Sequence, residues 1–488
     1  MCSPNRSRGW NRPFYDITHI PPCLTRSPSN DLIITNTRSS LPLMPSMPGV
    51  ALSSPVARLR QAFAGASPRV CVAFWLFGLI NNIFYVIILS AALDLVGPLI
   101  PKGTVLLASI IPGLATKIVV PYVIHLVPYS LRVVLFTILS TCGMLIVALS
   151  PSKDAGSVGA KIVGIILANI SSGAGEVHFL ALTHFYGHHA LSAWGSGTGG
   201  AGLVGAGAYA LLTTTLGFGV QGTLLASAII PLGMVLSWFV LLPLAPLRQL
   251  EAQDYQAVPA EEPEEGATDA IGSAGRAGLL DPPVARSATV AYEKEGSRLH
   301  RALAGLKDRL IRARTLVIPY MLPLFLVYVA EYTINQGVAP TLLFPLKDSP
   351  FKHFRAFYPT YGAIYQLGVF ISRSSLPFIR IRTLYVPSIL QIINLAALTA
   401  HALVPYIPNV WFVFFIVFWE GLLGGLVYVS TFAAIREEVA QEEREFSLGA
   451  VTVSDSGGIF VAGLLGVTME SLLCSWQVRH GRDWCRQL

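Results

Sequence analysis

One long stretch of the chain, residues 70–247, is almost free of charge, and this limits the fold more than any other feature. Its charged residues are eight in number: Asp94, Lys102, Lys117, Arg132, Lys153, Asp154, Lys161 and Glu176. Over the whole chain 12% of the residues are charged, whereas a soluble domain carries about 25%. A helix that crosses the hydrocarbon of a bilayer needs roughly 20 mostly apolar residues. The sequence therefore predicts a polytopic membrane protein and excludes an ordinary soluble domain.

Apolar segments recur along the chain in two groups, which a hydrophilic segment separates. The first group of spans is predicted at about 70–92, 104–126, 131–150, 157–183, 194–218 and 222–246. The second group is predicted at about 315–343, 356–378, 383–405, 409–433 and 447–473. We therefore predict an all-α polytopic membrane protein with about 11 transmembrane helices in a 6 + 5 arrangement.

These spans divide the chain into five parts. Residues 1–69 are rich in Pro, Ser and Arg, and we expect a disordered basic tail without a signal peptide. A six-helix membrane half at 70–247 and a five-helix half at 315–475 are joined by a flexible linker at 248–314. Residues 476–488 form a short C-terminal tail.

The distribution of positive charge predicts the orientation of the helices. Residues 1–69 contain eight Arg and two Asp, which supply most of the net charge of +7, and residues 248–314 contain ten Lys and Arg. Cytosolic flanks of membrane spans are enriched in Lys and Arg, so both segments are expected in the cytosol. The turn with Arg380 and Arg382 falls on the same side. The opposite loop disagrees with this rule through three residues: Lys347, Lys352 and Arg355. Charge in tails and loops indicates membrane orientation and argues against a nucleic-acid partner.

The motifs for metals, cofactors and cross-links are weak. The six cysteines include no CxxC pair, so we predict no disulfide framework and no zinc site: Cys2, Cys23, Cys71, Cys142, Cys474 and Cys485. The segment from His184 to His189 resembles one histidine box of a membrane di-iron oxygenase, but such a site needs several boxes and the other histidines are isolated. We predict neither a metal nor a cofactor.

A small-residue segment opens the fifth predicted span and contains a GxGxxG match. A dinucleotide fingerprint must follow a strand of a soluble βαβ unit, whereas this segment opens an apolar helix. Glycine allows two helix backbones to approach closely, so helix packing is the favoured role. The glycines assigned to it are Gly195, Gly197, Gly199, Gly200 and Gly202.

Polar residues within the predicted spans are concentrated in every third span. The first, fourth, seventh and tenth spans contain Asn81, Asn82, Asn169, Ser172, Glu176, Glu331, Asn335, Glu420 and Tyr428, with Gly173 and Gly424 beside them. The spans that follow some of these contain Lys117, Arg373 and Asp455. An ionisable group inside a bilayer costs roughly 2.5–3.5 kcal/mol on insertion scales, so each such group indicates a function.

A period of three helices within halves of about six is typical of the major facilitator fold. By analogy with that fold, the first helix of each triplet lines a central cavity. We therefore expect Asn82, Glu176, Glu331 and Glu420 to converge on one cavity between the halves. The alternative is structural, because the carboxylates could pair with the intramembrane cations and only hold helices together.

Seven ordered motifs extend from about residue 70 to 475. They are Trp75–Asn82 with Val86–Ala92, Ile170–Glu176, Ser196–Gly202, Glu331–Gly337, Ser372–Ser375, Glu420–Gly425 and Arg444–Phe446. Together they resemble the battenin family of vacuolar and lysosomal membrane proteins, one of which is altered in juvenile neuronal ceroid lipofuscinosis. The tail at 1–69 and most of the linker at 248–314 lie outside this resemblance.

The resemblance implies a multi-pass protein of the vacuolar or lysosomal membrane with a facilitator-like fold, similar to the fungal-type vacuolar members. The family is tied to vacuolar pH homeostasis, to movement of basic amino acids such as arginine, and to clearance of glycerophosphodiesters. Battenin ends in a prenylation box, whereas this sequence ends Cys485-Arg-Gln-Leu488 without an aliphatic middle residue. Lipidation of Cys485 therefore does not follow from the resemblance.

The sequence favours a proton-coupled secondary transporter that exports a small polar metabolite. The proton-coupling candidates are Glu176, Glu331 and Glu420, because a carboxyl group in a poorly hydrated cavity can exchange a proton between compartments. The substrate-binding candidates are Asn81, Asn82, Lys117, Asn335, Gln366 and Arg373. The guanidinium of Arg373 suits a bidentate contact with an anionic phosphodiester.

Two other classes of function remain as alternatives. A non-transporting adaptor could regulate the vacuolar proton pump or trafficking and dock partners on the tail and the linker, but it would not need an intramembrane polar stripe. An intramembrane enzyme would need a metal cluster or a nucleophile dyad, which we do not find in the sequence. The expected partners are a small polar solute, protons and membrane lipids.

Overall fold

A computed structural model describes residues 63–90, 102–150, 155–248 and 310–486. All of the regular structure in these residues is helical, and they contain no strand. The predicted tail up to residue 62 and the linker at 249–309 lie outside the described residues, as do Cys2, Cys23 and Asp94.

The first half of the membrane region begins with five long helices. They are α1 (Pro68–Ser90), α2 (Lys102–Val123), α3 (Tyr129–Leu149), α4 (Ala155–Tyr186) and α5 (His188–Ala210). Only Gly187 separates α4 from α5, and it has a φ of 91°, which glycine adopts without the strain that a β-carbon would bring. The fifth span therefore begins earlier than the predicted residue 194.

The sixth span of the first half is interrupted. It consists of α6 (Val220–Ser227), α7 (Leu232–Leu236) and a turn of π-helix at Ser237–Leu241. Pro231 lies at the break, where its missing N–H cannot continue the hydrogen-bond ladder of α6.

The second half contains five spans, of which the first has a turn of π-helix on each side. Its core is α8 (Leu322–Thr333), between Val317–Met321 and Ile334–Val338. The spans that follow are α9 (Phe357–Ser374), α10 (Tyr385–Leu403) and α11 (Val410–Glu438). The last span is preceded by a short helix, so the region ends with α12 (Gln441–Ala450) and α13 (Val453–Arg479).

Eight of these helical segments in the described residues are long and apolar enough to cross a membrane. The three other spans are α2, α5 and α9. In α2 the apolar helix that qualifies is the shorter segment Ser109–Val123. A run of glycines lowers the hydropathy of α5, and Arg373 lowers that of α9. The prediction of an all-α, multi-pass membrane protein is confirmed.

The helices of the two halves pair in the same way. The first span packs on the fifth in both halves, as α1 on α5 and α8 on α13, and the second packs on the fourth, as α2 on α4 and α9 on α11. Between the halves, α2 packs on α13 and α5 packs on α9. Such repetition is expected of halves related by a two-fold axis along the membrane normal, as in the major facilitator fold.

The predicted absence of disulfides is wrong at one position. Cys474 near the end of α13 and Cys485 in the C-terminal tail form a disulfide, with their Cα atoms 5.8 Å apart. Residues 480–483 turn the chain back along the helix, so two cysteines with no diagnostic spacing become neighbours. Trp484 beside this bond stacks on Phe354 of the loop before α9, with ring centroids 5.8 Å apart.

Candidate functional site

A cavity of about 110 Å³ lies between the two halves, in the middle of the helix bundle. The first, second, fourth and fifth spans of each half contribute to its wall. Its polar lining residues are Asn82, Tyr85, Lys117, Asn169, Ser172, Glu176, Thr198, Tyr328, Tyr332, Tyr365, Gln366, Arg373, Tyr428, Asp455 and Ser456. A site at which both halves meet is where alternating access would expose a solute to either side.

A buried ion cluster joins the halves at the wall of this cavity. The Lys117 ammonium of α2 lies 2.7 Å from Glu176 of α4 and 3.1 Å from Asp455 of α13. The three residues are 4%, 7% and 5% exposed, respectively, so little water screens their attraction. Asp455 also accepts a hydrogen bond from the backbone N–H of Ser456. The cluster carries two carboxylates for one ammonium, which leaves it formally negative.

Tyr428 of α11 connects this ion cluster to the rest of the wall. Its hydroxyl donates to Glu176 at 2.8 Å and accepts from the indole N–H of Trp194 at 3.3 Å. The guanidinium of Arg373 lies over the face of the Tyr428 ring, 4.1 Å from the centroid. One aromatic side chain thus contacts both the negative cluster and the second cation of the cavity.

Arg373 of α9 is a cation at the cavity wall whose hydrogen bonds go to neutral groups, and Glu331 attracts it from beyond salt-bridge distance. Its two terminal nitrogens donate to the hydroxyls of Thr198 and Tyr328, each at 2.8 Å, and its Nε is buried without a hydrogen-bond acceptor. Within the described residues no carboxylate lies in salt-bridge distance of this guanidinium. A planar guanidinium at a cavity wall, bonded only to neutral groups, is suited to bind an anion.

A second cluster of acidic side chains lies behind the wall of the cavity. Glu331 of α8 and Glu420 of α11 are 2% and 0% exposed. The amide of Asn335 donates to Glu420 at 3.2 Å and to the backbone carbonyl of Glu331 at 3.1 Å. Tyr365, which lines the cavity, donates a hydrogen bond to Glu331. Tyr365 therefore connects the cavity to this carboxyl pair.

No Lys, Arg or His lies within salt-bridge distance of either side chain of the carboxyl pair among the described residues, and the Arg373 guanidinium attracts Glu331 from beyond that distance. One oxygen of each carboxyl group is buried without a hydrogen-bond partner. Burial disfavours a charged carboxylate, and two carboxylates side by side repel each other. A proton held by the pair removes the repulsion and leaves one buried charge instead of two.

The structure divides the predicted site residues between three places. Those that line the central cavity are Asn82, Lys117, Glu176, Gln366 and Arg373. Glu331 and Glu420 form the carboxyl pair behind Tyr365, and Asn335 is hydrogen-bonded to both residues. Asn81 lies at the contact of α1 with α4, where its amide donates to the backbone carbonyl of Ser172 at 3.0 Å. The expected convergence of four polar residues on one cavity thus applies to Asn82 and Glu176 but not to Glu331 and Glu420.

Sequence reasoning did not assign the tyrosines of the wall. Tyr328 and Tyr332 precede Asn335 by seven and three residues, a spacing that places all three on one face of a helix. Tyr365 directly precedes the candidate Gln366, and Tyr428 follows Glu420 by about two helical turns on the tenth span. The helical spacing around Asn335 was the available signal.

The comparisons with known proteins agree with this architecture. The family model described as CLN3 protein matches residues 72–476. The chain is 56% identical to Protein btn1 of Aspergillus fumigatus over 459 residues, which are 93% of this chain and 99% of that protein. It is 55% identical to Protein BTN1 of Chaetomium globosum over 468 residues, 95% of this chain and 99% of that protein. The chain belongs to the CLN3, or battenin, family.

The fold of this CLN3-family protein is similar to that of a solved transporter. The major facilitator superfamily proton:xylose symporter XylE, bound to 6-bromo-6-deoxy-D-glucose, superposes with a TM-score of 0.54 at 13% identity. The similarity covers 85% of this chain and 90% of XylE. At that identity the likeness concerns the fold, and it confirms the predicted facilitator-like arrangement.

The glycines of α5 in this CLN3-family protein differ in the space around them. A β-carbon on Gly197 would overlap the backbone of Trp75, and one on Gly202 would overlap the Gln366 side chain. At Gly195 and Gly199 the nearest atoms would be 2.7 Å and 3.1 Å away, whereas at Gly200 the nearest would be 3.6 Å, an ordinary contact. Gly197 therefore requires glycine because backbone opposes it, the contacts at Gly195, Gly199 and Gly202 are tight, and Gly200 has room for a β-carbon.

Proposed function

We propose that this CLN3-family protein is a proton-coupled secondary transporter of the vacuolar or lysosomal membrane. The observation that supports this most directly is Arg373, a cation on the wall of a cavity between two facilitator-like halves, with no carboxylate in salt-bridge distance among the described residues. Burying a cation is unfavourable unless an opposite charge or hydrogen bonds replace the lost hydration. An adaptor that only presents cytosolic surfaces does not need such a group.

The proposed substrate class is a small polar metabolite that carries an anionic group. A glycerophosphodiester would place its phosphate on Arg373 and its hydroxyls near the amides of Asn82 and Gln366, which line the same cavity. A basic amino acid such as arginine would place its carboxylate on Arg373 and its cation near the formally negative cluster of Glu176 and Asp455. Arg373 is the anion anchor in both cases.

The central cavity of about 110 Å³ is smaller than the roughly 300–1,000 Å³ of typical ligand pockets. The halves must therefore separate on one side before such a solute can enter. Lys117 and Asp455 belong to different halves, and we propose that this ion pair breaks on one side and re-forms as the halves rock.

The proton-coupling step is assigned to Glu331 and Glu420. Glu176 forms an ion pair with Lys117, whereas no Lys, Arg or His lies within salt-bridge distance of Glu331 or Glu420 among the described residues. Tyr365 is the side chain through which a proton from the cavity reaches Glu331. Loading and release of one proton by this pair would couple solute movement to the pH gradient and contribute to vacuolar pH homeostasis.

In the proposed orientation the N-terminal tail and the 248–314 linker lie in the cytosol. The start of the seventh span lies on the same face as the basic turn after α9, because Arg312 approaches Glu443 at 3.8 Å and Arg380 pairs with Glu437 of the same α11–α12 region. The C-terminal tail then lies in the lumen, an oxidising setting that suits the disulfide of Cys485. A cysteine held in a disulfide is not available for prenylation.

Purified protein in liposomes tests the function directly. Glycerophosphodiesters and arginine are offered under an imposed pH gradient, and uptake and counterflow are measured for the wild type and for Arg373→Gln. The variant should lose about tenfold or more of its transport, because a hydrogen bond to a charged group contributes about 1.5–3 kcal/mol. The matched control is Arg382→Gln, which removes the same charge from an exposed position nine residues later.

The outcomes of this assay distinguish a transporter that binds an anion at Arg373 from a non-transporting adaptor. Loss in Arg373→Gln with normal transport in Arg382→Gln supports the proposal. Absence of uptake and of counterflow for every solute in the wild type would favour an adaptor for the proton pump or for trafficking. Normal transport by Arg373→Gln would remove the anion anchor and leave the substrate-binding assignment wrong.

A further inference from the structure

A second cavity, of about 350 Å³, lies between the two halves on the face that carries the start of the seventh span and the turn after α9. We call it the face cavity, and its lining residues are His188, Leu191, Leu376, Arg380, Ala433, Arg436 and Glu437. The residues come from the start of α5 in the first half, and from the turn after α9 and the end of α11 in the second half. No part of the transport proposal uses this cavity.

Positive charge exceeds negative charge in the face cavity. Arg380 forms an ion pair with Glu437, but Arg436 has no carboxylate within salt-bridge distance among the described residues. Arg444 lies close enough to Arg436 to repel it electrostatically. The lining therefore keeps a net positive charge even when His188 is neutral.

Most of the hydrogen-bond donors of these two arginines are still available. A guanidinium has five N–H donors. Arg436 uses one of them on the backbone carbonyl of Thr183, at 2.7 Å, and Arg380 uses one on Glu437. The remaining donors form planar forks, which match the geometry of phosphate oxygens.

We propose that the face cavity binds a phosphate-bearing anion. Its volume is within the range of about 300–1,000 Å³ that is typical of small-molecule sites, so a phosphate group with an attached ring or chain fits. The same phosphate chemistry is offered by a soluble polyphosphate and by the headgroup of a phosphorylated inositol lipid. Arg436 and Arg380 supply the guanidinium contacts, and His188 adds a third donor from the opposite half.

Occupancy of the face cavity has a consequence for the movement of the halves. His188 and Leu191 belong to the first half, whereas Arg380 and Arg436 belong to the second. An anion that contacts both binds best when this face is closed, and a ligand shifts an equilibrium by its difference in affinity for the two states. The bound anion therefore holds the protein closed on the linker side.

Binding is measured with purified full-length protein in nanodiscs. One arm adds inositol hexakisphosphate to discs of phosphatidylcholine, and the other compares discs with and without phosphatidylinositol 4-phosphate. Arg436→Gln and Arg380→Gln should each weaken binding of the effective probe about tenfold or more. Arg382→Gln is the matched control, since it removes an exposed arginine two residues beyond Arg380 and should leave the affinity unchanged.

The variant Arg436→Lys keeps the experiment informative should Arg436→Gln fold poorly. It retains the charge and a donor for Thr183 but lacks the planar fork, so its affinity should fall between wild type and Arg436→Gln. Binding in the first arm alone identifies a soluble phosphate compound, and binding in the second alone identifies a lipid headgroup. Absence of binding in both arms, unchanged affinity in Arg436→Gln, or an equal loss in Arg382→Gln would overturn the proposal.

Closure of this face is a separate readout that does not depend on transport. Spin labels at Leu126→Cys and Phe378→Cys, two exposed positions in different halves on this face, report the separation of the halves. The background replaces Cys2, Cys23, Cys71 and Cys142 with serine. The effective anion should shift the distance distribution toward the shorter component in this background, and the shift should vanish in Arg436→Gln.

Discussion

Lys117 of the first half and Asp455 of the second half lie 3.1 Å apart in the middle of the protein, and both are buried. They are 338 positions apart in the sequence. Because Glu176 contacts the same ammonium at 2.7 Å, one cation neutralises charge on both sides of the boundary between the halves. The stability of this closed arrangement therefore depends unequally on the three residues.

The first prediction concerns this inequality. Lys117→Gln leaves two buried carboxylates without a cation, and removing one partner of a buried pair typically costs about 3–5 kcal/mol. Asp455→Asn instead leaves Lys117 paired with Glu176. Folded protein in the membrane, measured by fluorescence-detected size exclusion, should therefore fall strongly in Lys117→Gln and little in Asp455→Asn. Equal abundance of the two variants would contradict the assigned role of the ammonium.

The second prediction separates a proton carrier from a structural carboxylate at Glu331. Glu331→Gln keeps the shape of the side chain but cannot bind and release a proton. Transport driven by a pH gradient should fail, whereas solute exchange, which moves no net proton, should persist. Both are measured in liposomes on the same preparation.

A structural role for Glu331 predicts a different result. If its carboxylate neutralised Arg373, the Gln variant would leave an unpaired cation, and folded protein would fall. The second substitution Arg373→Gln would then restore abundance. Such a rescue would rule out the carrier role. In the structure the hydroxyl of Tyr365 donates to Glu331, so we expect Glu331→Gln to be as abundant as the wild type.

The third prediction uses the unequal space around the glycines of α5. A β-carbon on Gly197 would overlap the backbone of Trp75 in α1, and neither backbone can move without separating the two helices. Gly197→Ala should therefore lower folded protein, since overpacking typically costs about 1–3 kcal/mol. Gly200→Ala is the matched control and should be tolerated, because its nearest neighbour would be 3.6 Å away. Comparable losses of folded protein in both variants would show that steric overlap of the β-carbon is not the cause of the loss.

The fourth prediction concerns the disulfide of the C-terminal tail. Mass spectrometry of alkylated protein should find Cys474 and Cys485 protected until a reductant is added, while Cys71 and Cys142 are free. Cys485→Ser should lower the thermal unfolding temperature, because a short cross-linked loop stabilises by roughly 2–4 kcal/mol. Alkylation of both cysteines without reductant would show that the bond does not form in the protein.

Much of the architecture follows from the sequence, because a bilayer core forces every backbone polar group into an internal hydrogen bond and so favours helices. Most of the apolar segments could be located to within a few residues, whereas the fifth and eleventh begin six residues from the predicted positions, at His188 and Val453. A three-span period of polar residues predicted the facilitator-like arrangement. The family motifs around Glu176, Glu331 and Glu420 agreed with it. Boundaries failed where a single residue decided them, as at Gly187, whose positive φ ends one helix and begins the next.

The partners of the polar residues were decided only by the tertiary structure. The sequence shows that Glu176, Glu331 and Glu420 each lie in the first span of a three-span unit. It does not show that Glu176 contacts an ammonium, whereas Glu331 and Glu420 lie side by side and contact Tyr365 and Asn335. That difference arises because Lys117 comes from α2 and Tyr365 from α9, and helix rotation within the bundle sets which side chain each carboxyl meets. The disulfide has the same origin, since a turn after α13 brings Cys485 back to Cys474. Periodicity along one chain gives the face of each helix, whereas contact energies depend on which faces are packed together.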